Sequence, residues 1–597
     1  METFSEVKSI DSCLKKYYGY TEFKEGQRPA IECIMNKNDA LILMPTGGGK
    51  SICYQIPALL FSGVTLVISP LISLMKDQVD TLKDMGIEAT YINSTLNEAE
   101  LMDRYEGIRV QRYKMIYIAP ERIESRLIRD IISYNTIDFI AIDEAHCVSQ
   151  WGHDFRPSYR NIANILSKLP YRPVIAALTA TATELVREDI MDQLSLYKPE
   201  VFVTGFDRKN LHFSVLKGVN KKRYIGQYVK KNSESSGIIY CGTRKETEML
   251  YHTLDRMHIA VGMYHGGMNM EERRIHQERF IYDDYKVMVA TNAFGMGIDK
   301  SNVRYVIHHN MPENMESYYQ EAGRAGRDGE NSVCILLYGP GDQKLRRFLI
   351  EETPDITPER KKYRYGQLQK MVNYCHINTC LRVQLLAHFG EEANEEMCDG
   401  CGNCDGKAHR VDITTEAQKI ISCILRMKER YGVSIVAEVL KGSKSQKVSG
   451  TPLESLSTYG ILKTYTLIQI KEMIHLLIAE GYLHMTQDGY PVIKVTQEAE
   501  SVLYGGKAVF SNRIEIVAIE SSDQLFDRLK ALRKIIAVKT KLPPYTIFHD
   551  KTLKAMASQK PRDKVSLMSI GGVGESKFKK YGDQFLQVIE DYVSANG

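Results

Sequence analysis

The sequence predicts an α/β protein with two mostly parallel sheets in its first 340 residues, followed by smaller helix-rich units. Three observations lead there. Short apolar runs alternate with amphipathic stretches, and a turn rich in Gly, Pro, Ser or Thr follows each run. The alternation restarts after a polar turn, Thr204-Gly205-Phe206-Asp207-Arg208-Lys209-Asn210. It stops at Gly339-Pro340-Gly341.

In the first lobe Ala40 to Met44, Thr65 to Ser69, Met115 to Ala119, Phe139 to Ile142 and Val174 to Leu178 read as strands. In the second, Gly237 to Cys241, Lys286 to Ala290, Val303 to His308 and Val333 to Tyr338 do. A helical region with clustered cysteines then runs to about residue 408. A compact unit follows, with a hairpin from Tyr482 to Val495 turning at Asp488-Gly489. Glu500 to Asn512 reads as a linker, and the remainder is helical.

At 597 residues the chain exceeds one core, and roughly three to five domains are expected. The net charge of +4 means that any nucleic-acid surface is a local basic stripe. No apolar run is long enough for a bilayer, and Met1 to Lys8 lacks the pattern of a signal peptide. The expectation is a chain with no membrane partner. Twelve cysteines, mostly scattered, fit a reducing cytosol with one metal site better than a disulfide scaffold.

The first predicted strand runs into Pro45-Thr46-Gly47-Gly48-Gly49-Lys50-Ser51, and a helix follows. Thr46, Gly47, Gly48 and Gly49 can turn their amides onto phosphate oxygens. Lys50 would neutralise the β and γ phosphates of ATP, and Ser51 would bind Mg²⁺. Met44 stands where the general pattern has its first glycine. A glycine turn with an exposed lysine would look similar, so the second half of the site decides. That half is Phe139 to Ile142 followed by Asp143-Glu144-Ala145-His146. Asp143 would hold Mg²⁺ and Glu144 would polarise the attacking water. Thr179-Ala180-Thr181 is a hydroxyl-bearing turn suited to link this site to the rest of the lobe.

Together with Gln320-Glu321-Ala322-Gly323-Arg324-Ala325-Gly326-Arg327-Asp328, these motifs resemble superfamily 2 helicases. Their wording resembles the RecQ family. So do Tyr18-Gly19-Tyr20 with Phe23-Lys24 and Gly26-Gln27, Ser69 to Met75, Phe294 to Lys300, and Glu316 to Gln320. The resemblance covers nearly the whole chain. It implies two RecA-like lobes at 1–206 and 207–340, a zinc-binding helical subdomain at 341–408, a winged-helix domain at 409–508 and an all-α HRDC bundle at 515–597.

By that resemblance Gln27 and Lys24 read the adenine with Tyr20 stacking nearby, and Gln320 joins the nucleotide set. Arg324 and Arg327 lie three apart, so on a helical turn they share a face. They would reach the γ-phosphate from lobe two, with Arg327 as the arginine finger. The loop Cys147 to Arg160 holds the single Trp of the chain. Trp151 and Phe155 could stack on bases and Arg156 could bind phosphate, or the aromatics could form a buried cluster. The resemblance favours the first reading, because the family uses such a loop to couple DNA to ATP.

Cys398, Cys401 and Cys404 stand at CxxCxxC spacing, which suits one tetrahedral Zn²⁺. The resemblance makes Cys380 the fourth ligand, with Cys375, His376 and His388 as local alternatives. Leu381 stands where the family has Arg. In the winged-helix region Lys441 to Lys447 could open a helix on duplex phosphate. In the bundle, Gly571 to Gly574 offers amides near lysines, for DNA phosphate or for docking.

The expected function is an ATP-dependent DNA helicase moving 3′ to 5′ on single-stranded DNA and unwinding duplex or branched DNA in recombination and repair. The expected location is the bacterial cytoplasm, associated with the nucleoid. Single-stranded-DNA-binding protein and recombination factors are expected partners. An RNA helicase and a non-unwinding DNA-binding ATPase are the alternatives.

Overall fold

A computed structural model describes residues 9–596, apart from 71, 94, 124–130, 132, 167–168, 296–299, 355, 394–396, 406–407, 487–490 and 515–523. The turn expected at Asp488-Gly489, the middle of the Phe294 to Lys300 motif and Met1 to Lys8 lie outside the described residues.

Lobe one is a seven-stranded parallel sheet. Its order is Ala89–Ile92, Met115–Ile118, Val64–Ile68, Ile137–Ile142, Val174–Thr179, Ala40–Leu43, Glu200–Val203. Lobe two is a six-stranded parallel sheet. Its order is Val261–Tyr264, Val287–Ala290, Ser236–Tyr240, Val303–His308, Ser332–Tyr338, Leu211–Lys217. The inner strands are buried along nearly their whole length, with Asp138, Arg304 and His308 among the few charged or polar residues in them, because helices cover both faces of each sheet. Among the described residues of the two lobes, the nine strands read from sequence are all present, and the four not read are the outer strands of the two sheets.

The connector between the lobes carries Phe206, which stacks on Phe389 at 4.6 Å and meets Tyr319 edge-on at 6.0 Å. One apolar core therefore runs from lobe one through lobe two into the helices Pro358–His376 and Leu381–His388. The next unit has its own core, built from Thr414–Arg426, Val433–Lys441 and Leu467–Ala479 beside the hairpin Leu483–Met485 with Ile493–Val495. Its ends are tied together by an antiparallel ribbon of Ala408–Asp412 with Phe510–Ile514. The supposed linker thus contributes a paired strand. Lys441 ends a helix, and its ammonium donates to the Lys463 and Tyr465 carbonyls.

The last bundle, with helices Gln524–Thr540, Asp550–Gln559 and Asp583–Asn596, has a separate core. Arg533 is fully buried in it and pairs with Asp550 at 2.7 Å. The bundle docks on both lobes. Gly574 abuts Gly19 of lobe one, the Tyr282 hydroxyl of lobe two donates to the Lys541 carbonyl at 3.1 Å, and Lys554 pairs with Glu330. Among the described residues no helix is long and apolar enough to cross a membrane.

Candidate functional site

The phosphate loop leaves a fully buried strand, Ala40–Leu43, and enters the helix Lys50–Leu60. Gly47 and Gly49 both adopt φ 84°, where a side chain would be strained. Gln27 is buried at the base of the loop. Its amide donates to the carbonyls of Gly48 at 3.2 Å and Gly49 at 3.1 Å, and accepts from the Lys24 amide at 2.9 Å. The Lys24 ammonium donates to the Gly47 carbonyl at 3.1 Å. These two residues therefore brace the loop, and Tyr20 nearby in sequence is exposed.

The Lys50 ammonium donates to the Met44 carbonyl at 3.2 Å. Burial pulls its pKa down, while Glu144 and Asp143 pull it up and Arg327 lowers it further. Ser51 follows at the helix start, half-buried. Asp143 and Glu144 end the strand Ile137–Ile142. Burial, aided by the charge of Glu144, pushes the Asp143 carboxyl up to about 7. A divalent cation beside it would favour the carboxylate instead. Burial holds His146 neutral. Its Nδ1 lies 2.9 Å from the Thr179 hydroxyl and 3.3 Å from Glu144. Thr179 thus connects to the carboxylate strand through a histidine, as its place in sequence suggests.

Lobe two delivers the arginines on a turn rather than a helix. The helix Met315–Ala322, which carries Gln320 in its last turn, ends before them. Gly326 has φ 57°, which breaks the helical path. The expectation of a shared helical face is corrected accordingly. Arg324 is buried within lobe two beside Tyr240 and Gly295. The Arg327 backbone lies across the cleft, 3.4 Å from where a side chain on Gly47 would begin. Its charge is felt by Lys50. Of the two arginines, Arg327 is the one that faces the phosphate loop.

One cation escaped sequence reading. Arg208, on the connector, donates to the Thr46 carbonyl of lobe one at 2.6 Å and to the Gly326 carbonyl at 2.6 Å. Its acceptors are backbone carbonyls, which have no sequence signature.

The aromatic loop is tied to the backbone that carries the carboxylates. The buried Tyr159 hydroxyl donates to the Asp143 carbonyl at 3.0 Å, and His153 stacks on His146 at 4.2 Å. Arg156 donates to Asp154 and to the Pro70 carbonyl, both at 3.1 Å. Trp151 is half-buried and meets Tyr363 edge-on at 5.2 Å, while the Arg360 guanidinium lies over the Phe155 ring at 4.9 Å. Trp151 and Phe155 line a cleft of about 180 Å³ with Asn314, Glu316, Arg360 and Arg364. The aromatic rings therefore stand between lobe one, lobe two and the long helix Pro358–His376.

Sγ atoms of Cys380, Cys398, Cys401 and Cys404 all lie within 4.8 Å of one another. A tetrahedral zinc with bonds of about 2.3 Å separates its sulfurs by about 3.8 Å. Cys380 Sγ lies 3.4 Å from that of Cys398 and 3.8 Å from that of Cys401, so the donor set fits zinc. Neither histidine belongs to this cluster: His376 stacks on His475 and His388 bonds Glu316. The metal loop adds to the lobe-two sheet. The Phe213 amide donates to the Gly400 carbonyl at 3.1 Å, and the Gly402 amide donates to the Phe213 carbonyl at 2.8 Å. Arg382, two residues past Cys380, donates to Asp207 and to the Arg208 carbonyl.

A glycine–lysine loop, a strand-end carboxylate pair and an arginine turn offered by a second parallel-sheet lobe define a two-lobed, nucleotide-driven motor of helicase superfamily 2. Family comparisons extend this to every unit of the chain. The DEAD/DEAH box helicase model matches 24–189, and the helicase conserved C-terminal domain matches 220–329. The RecQ zinc-binding model matches 340–405, the RQC domain 407–516 and the HRDC domain 522–589. ATP-dependent DNA helicase RecQ of Bacillus subtilis (strain 168) is 48% identical over 583 residues, spanning 97% of this chain and 98% of that protein. The proteins of the same name from Pasteurella multocida and Haemophilus influenzae are 38% and 37% identical, each over 97% of this chain and over 93% and 96% of their own lengths. The chain belongs to the RecQ family of helicases. Its cofactors are ATP, Mg²⁺ and Zn²⁺.

Proposed function

We propose that this protein is an ATP-dependent DNA helicase that moves 3′ to 5′ along single-stranded DNA and unwinds duplex or branched DNA in recombination and repair. The observation that carries the reading is the meeting of the Arg327 turn with Gly47 across the cleft. Nucleotide bound there touches both lobes, so loss of the γ-phosphate changes how they meet.

In this reading Lys50, Thr46 and Gly47 to Gly49 hold the phosphates, and Ser51 and Asp143 hold Mg²⁺. Glu144 orients and deprotonates the attacking water. Arg327 and Arg324 offset charge developing on the γ-phosphate, Tyr20, Lys24 and Gln27 serve the adenine side, and Gln320 the nucleotide. Mg²⁺, when bound, neutralises the transferring phosphate. Trp151, Phe155 and Arg156 contact the strand, and the Tyr159–Asp143 bond supports coupling between strand and hydrolysis. Cys380, Cys398, Cys401 and Cys404 hold a structural zinc. The proposed units are 1–206, 207–340, 341–408, 409–508 and 515–597, with the strand Phe510–Ile514 pairing back onto the fourth.

Single-stranded-DNA-binding protein and recombination factors are the proposed partners, in a cytoplasmic, nucleoid-associated setting; co-purification and imaging of the tagged chain test both. The decisive experiment is hydrolysis with and without single-stranded DNA or RNA, followed by unwinding of 3′- and 5′-tailed duplexes. Stimulation by RNA alone, or unwinding from the 5′ tail, overturns the reading.

A further inference from the structure

Arg208 sits between the last strand of lobe one, which ends at Val203, and the first strand of lobe two, which begins at Leu211. Its guanidinium spans the cleft. Nη1 donates to the Thr46 carbonyl at 2.6 Å and to the Gly323 carbonyl at 3.4 Å. Nη2 donates to the Ala325 carbonyl at 3.1 Å and the Gly326 carbonyl at 2.6 Å. Nε donates to the Asn210 side chain at 3.3 Å, and the Asn210 amide donates to the Gly326 and Glu330 carbonyls, both at 2.9 Å. Three of the four carbonyls bound by Nη1 and Nη2 lie on the turn that ends in Arg327. The fourth belongs to the phosphate loop.

The backbone of Arg208 is itself pinned. Arg382 donates to its carbonyl at 2.9 Å and to that of Leu211, and Glu391 accepts from the Phe206 amide. An anchored backbone with a planar, five-donor side chain makes a rigid bracket; a lysine in its place offers one point charge and no fork. Cationic Lys50 and Arg327 repel each other when no phosphate lies between them. A bracket joining their loops offsets that repulsion and sets their spacing.

We propose that Arg208 is a positioning residue for hydrolysis, a latch that sets the Arg327 turn against the phosphate loop. The proposal rests on the reading of Arg327 as the cation that meets the γ-phosphate. Opening of the lobes breaks the Thr46 bond and leaves the other three intact, so the latch engages only when the lobes meet.

The test uses the full-length, zinc-loaded chain with saturating single-stranded DNA. R208A is expected to lower kcat for ATP about 10²-fold, the size of effect that a small misplacement produces. Affinity for a fluorescent ATP analogue stays near wild type. R208K recovers little. R208A added to R327A costs almost nothing further, because the latch acts through that arginine. Should R208A melt early, R208Q, which keeps the packing without the fork, carries the same test. Unchanged kcat, a loss confined to KM, full rescue by R208K, or an equal loss in the R327A background overturns the latch. Full turnover in R327A overturns the underlying finger assignment, and the latch with it.

Discussion

Lobe one and lobe two share a parallel-sheet plan but use their strand ends differently. In lobe one the buried strands Ala40–Leu43, Ile137–Ile142 and Val174–Thr179 end in the phosphate loop, the carboxylate pair and Thr179. In lobe two the strand Ser236–Tyr240 ends beside Gly242, whose amide already donates to Asn310 at 2.8 Å. That amide is therefore committed to a side chain of lobe two. Lobe two instead offers cations from a turn after a helix. The same scaffold therefore holds the nucleotide on one side and acts on it from the other, and each half can be damaged separately.

The largest expected effect separates the two. K50A removes the ammonium that meets the phosphates and brings turnover to background with weakened nucleotide binding. R327A lowers turnover by about 10³-fold while a fluorescent analogue still binds. Steady-state hydrolysis and titration on both variants check this, and equal loss of binding in both would erase the proposed division.

W151A comes next. Its ring stands where both lobes meet the long helix Pro358–His376, so the expected loss is in DNA stimulation. The ratio of stimulated to unstimulated hydrolysis falls toward one. A lowered melting temperature with an unchanged ratio would mean that Trp151 only packs.

Legibility followed burial. Strands covered on both faces are mostly apolar runs and read without help. The four edge strands, Ala89–Ile92, Glu200–Val203, Leu211–Lys217 and Val261–Tyr264, are short or carry polar residues, and none was read. Lys50, Asp143 and Glu144 were legible because a glycine loop and a strand-end acid pair have local patterns. Arg208 was not, because its partners are carbonyls that any residue supplies. The metal segment holds none of the phosphate-site residues and lies far from them along the chain. Arg382 bridges that gap, joining the residue after next from Cys380 to the connector that carries Arg208.

C401S sharpens the contrast between lobes. Zinc content should fall from one per chain to near zero, with weaker DNA binding. Amide exchange should quicken in Leu211–Lys217 of lobe two and not in Ala40–Leu43 of lobe one. Retained metal in C380S would point to Cys375 or a histidine as the fourth ligand.

The smallest effect concerns pH. Burial pulls His475 down to about 4 where it stacks on His376, facing Lys217, Lys471 and Arg347. Above about 6.5 both folded and unfolded chains keep this ring neutral, and its full contribution is present. As pH falls from 6.5 toward 4 the unfolded chain takes up the proton first, so stability declines. The loss from this ring reaches roughly 2 kcal/mol by pH 5. Melting temperatures at pH 7 and pH 5 should differ less in H475Q, and amide exchange should place the difference where Leu467–Ala479 packs on Pro358–His376.

The pairing of Gly400 and Gly402 with Phe213 has a consequence for solubility. Leu211–Lys217 is the outer strand of its sheet, and an uncovered outer strand is a template for the same strand of another molecule. The cysteine loop lies along part of that strand and occupies hydrogen-bonding groups that another chain would use. Chelation would uncover them, and the demetallated protein is expected to self-associate through lobe two before either lobe unfolds.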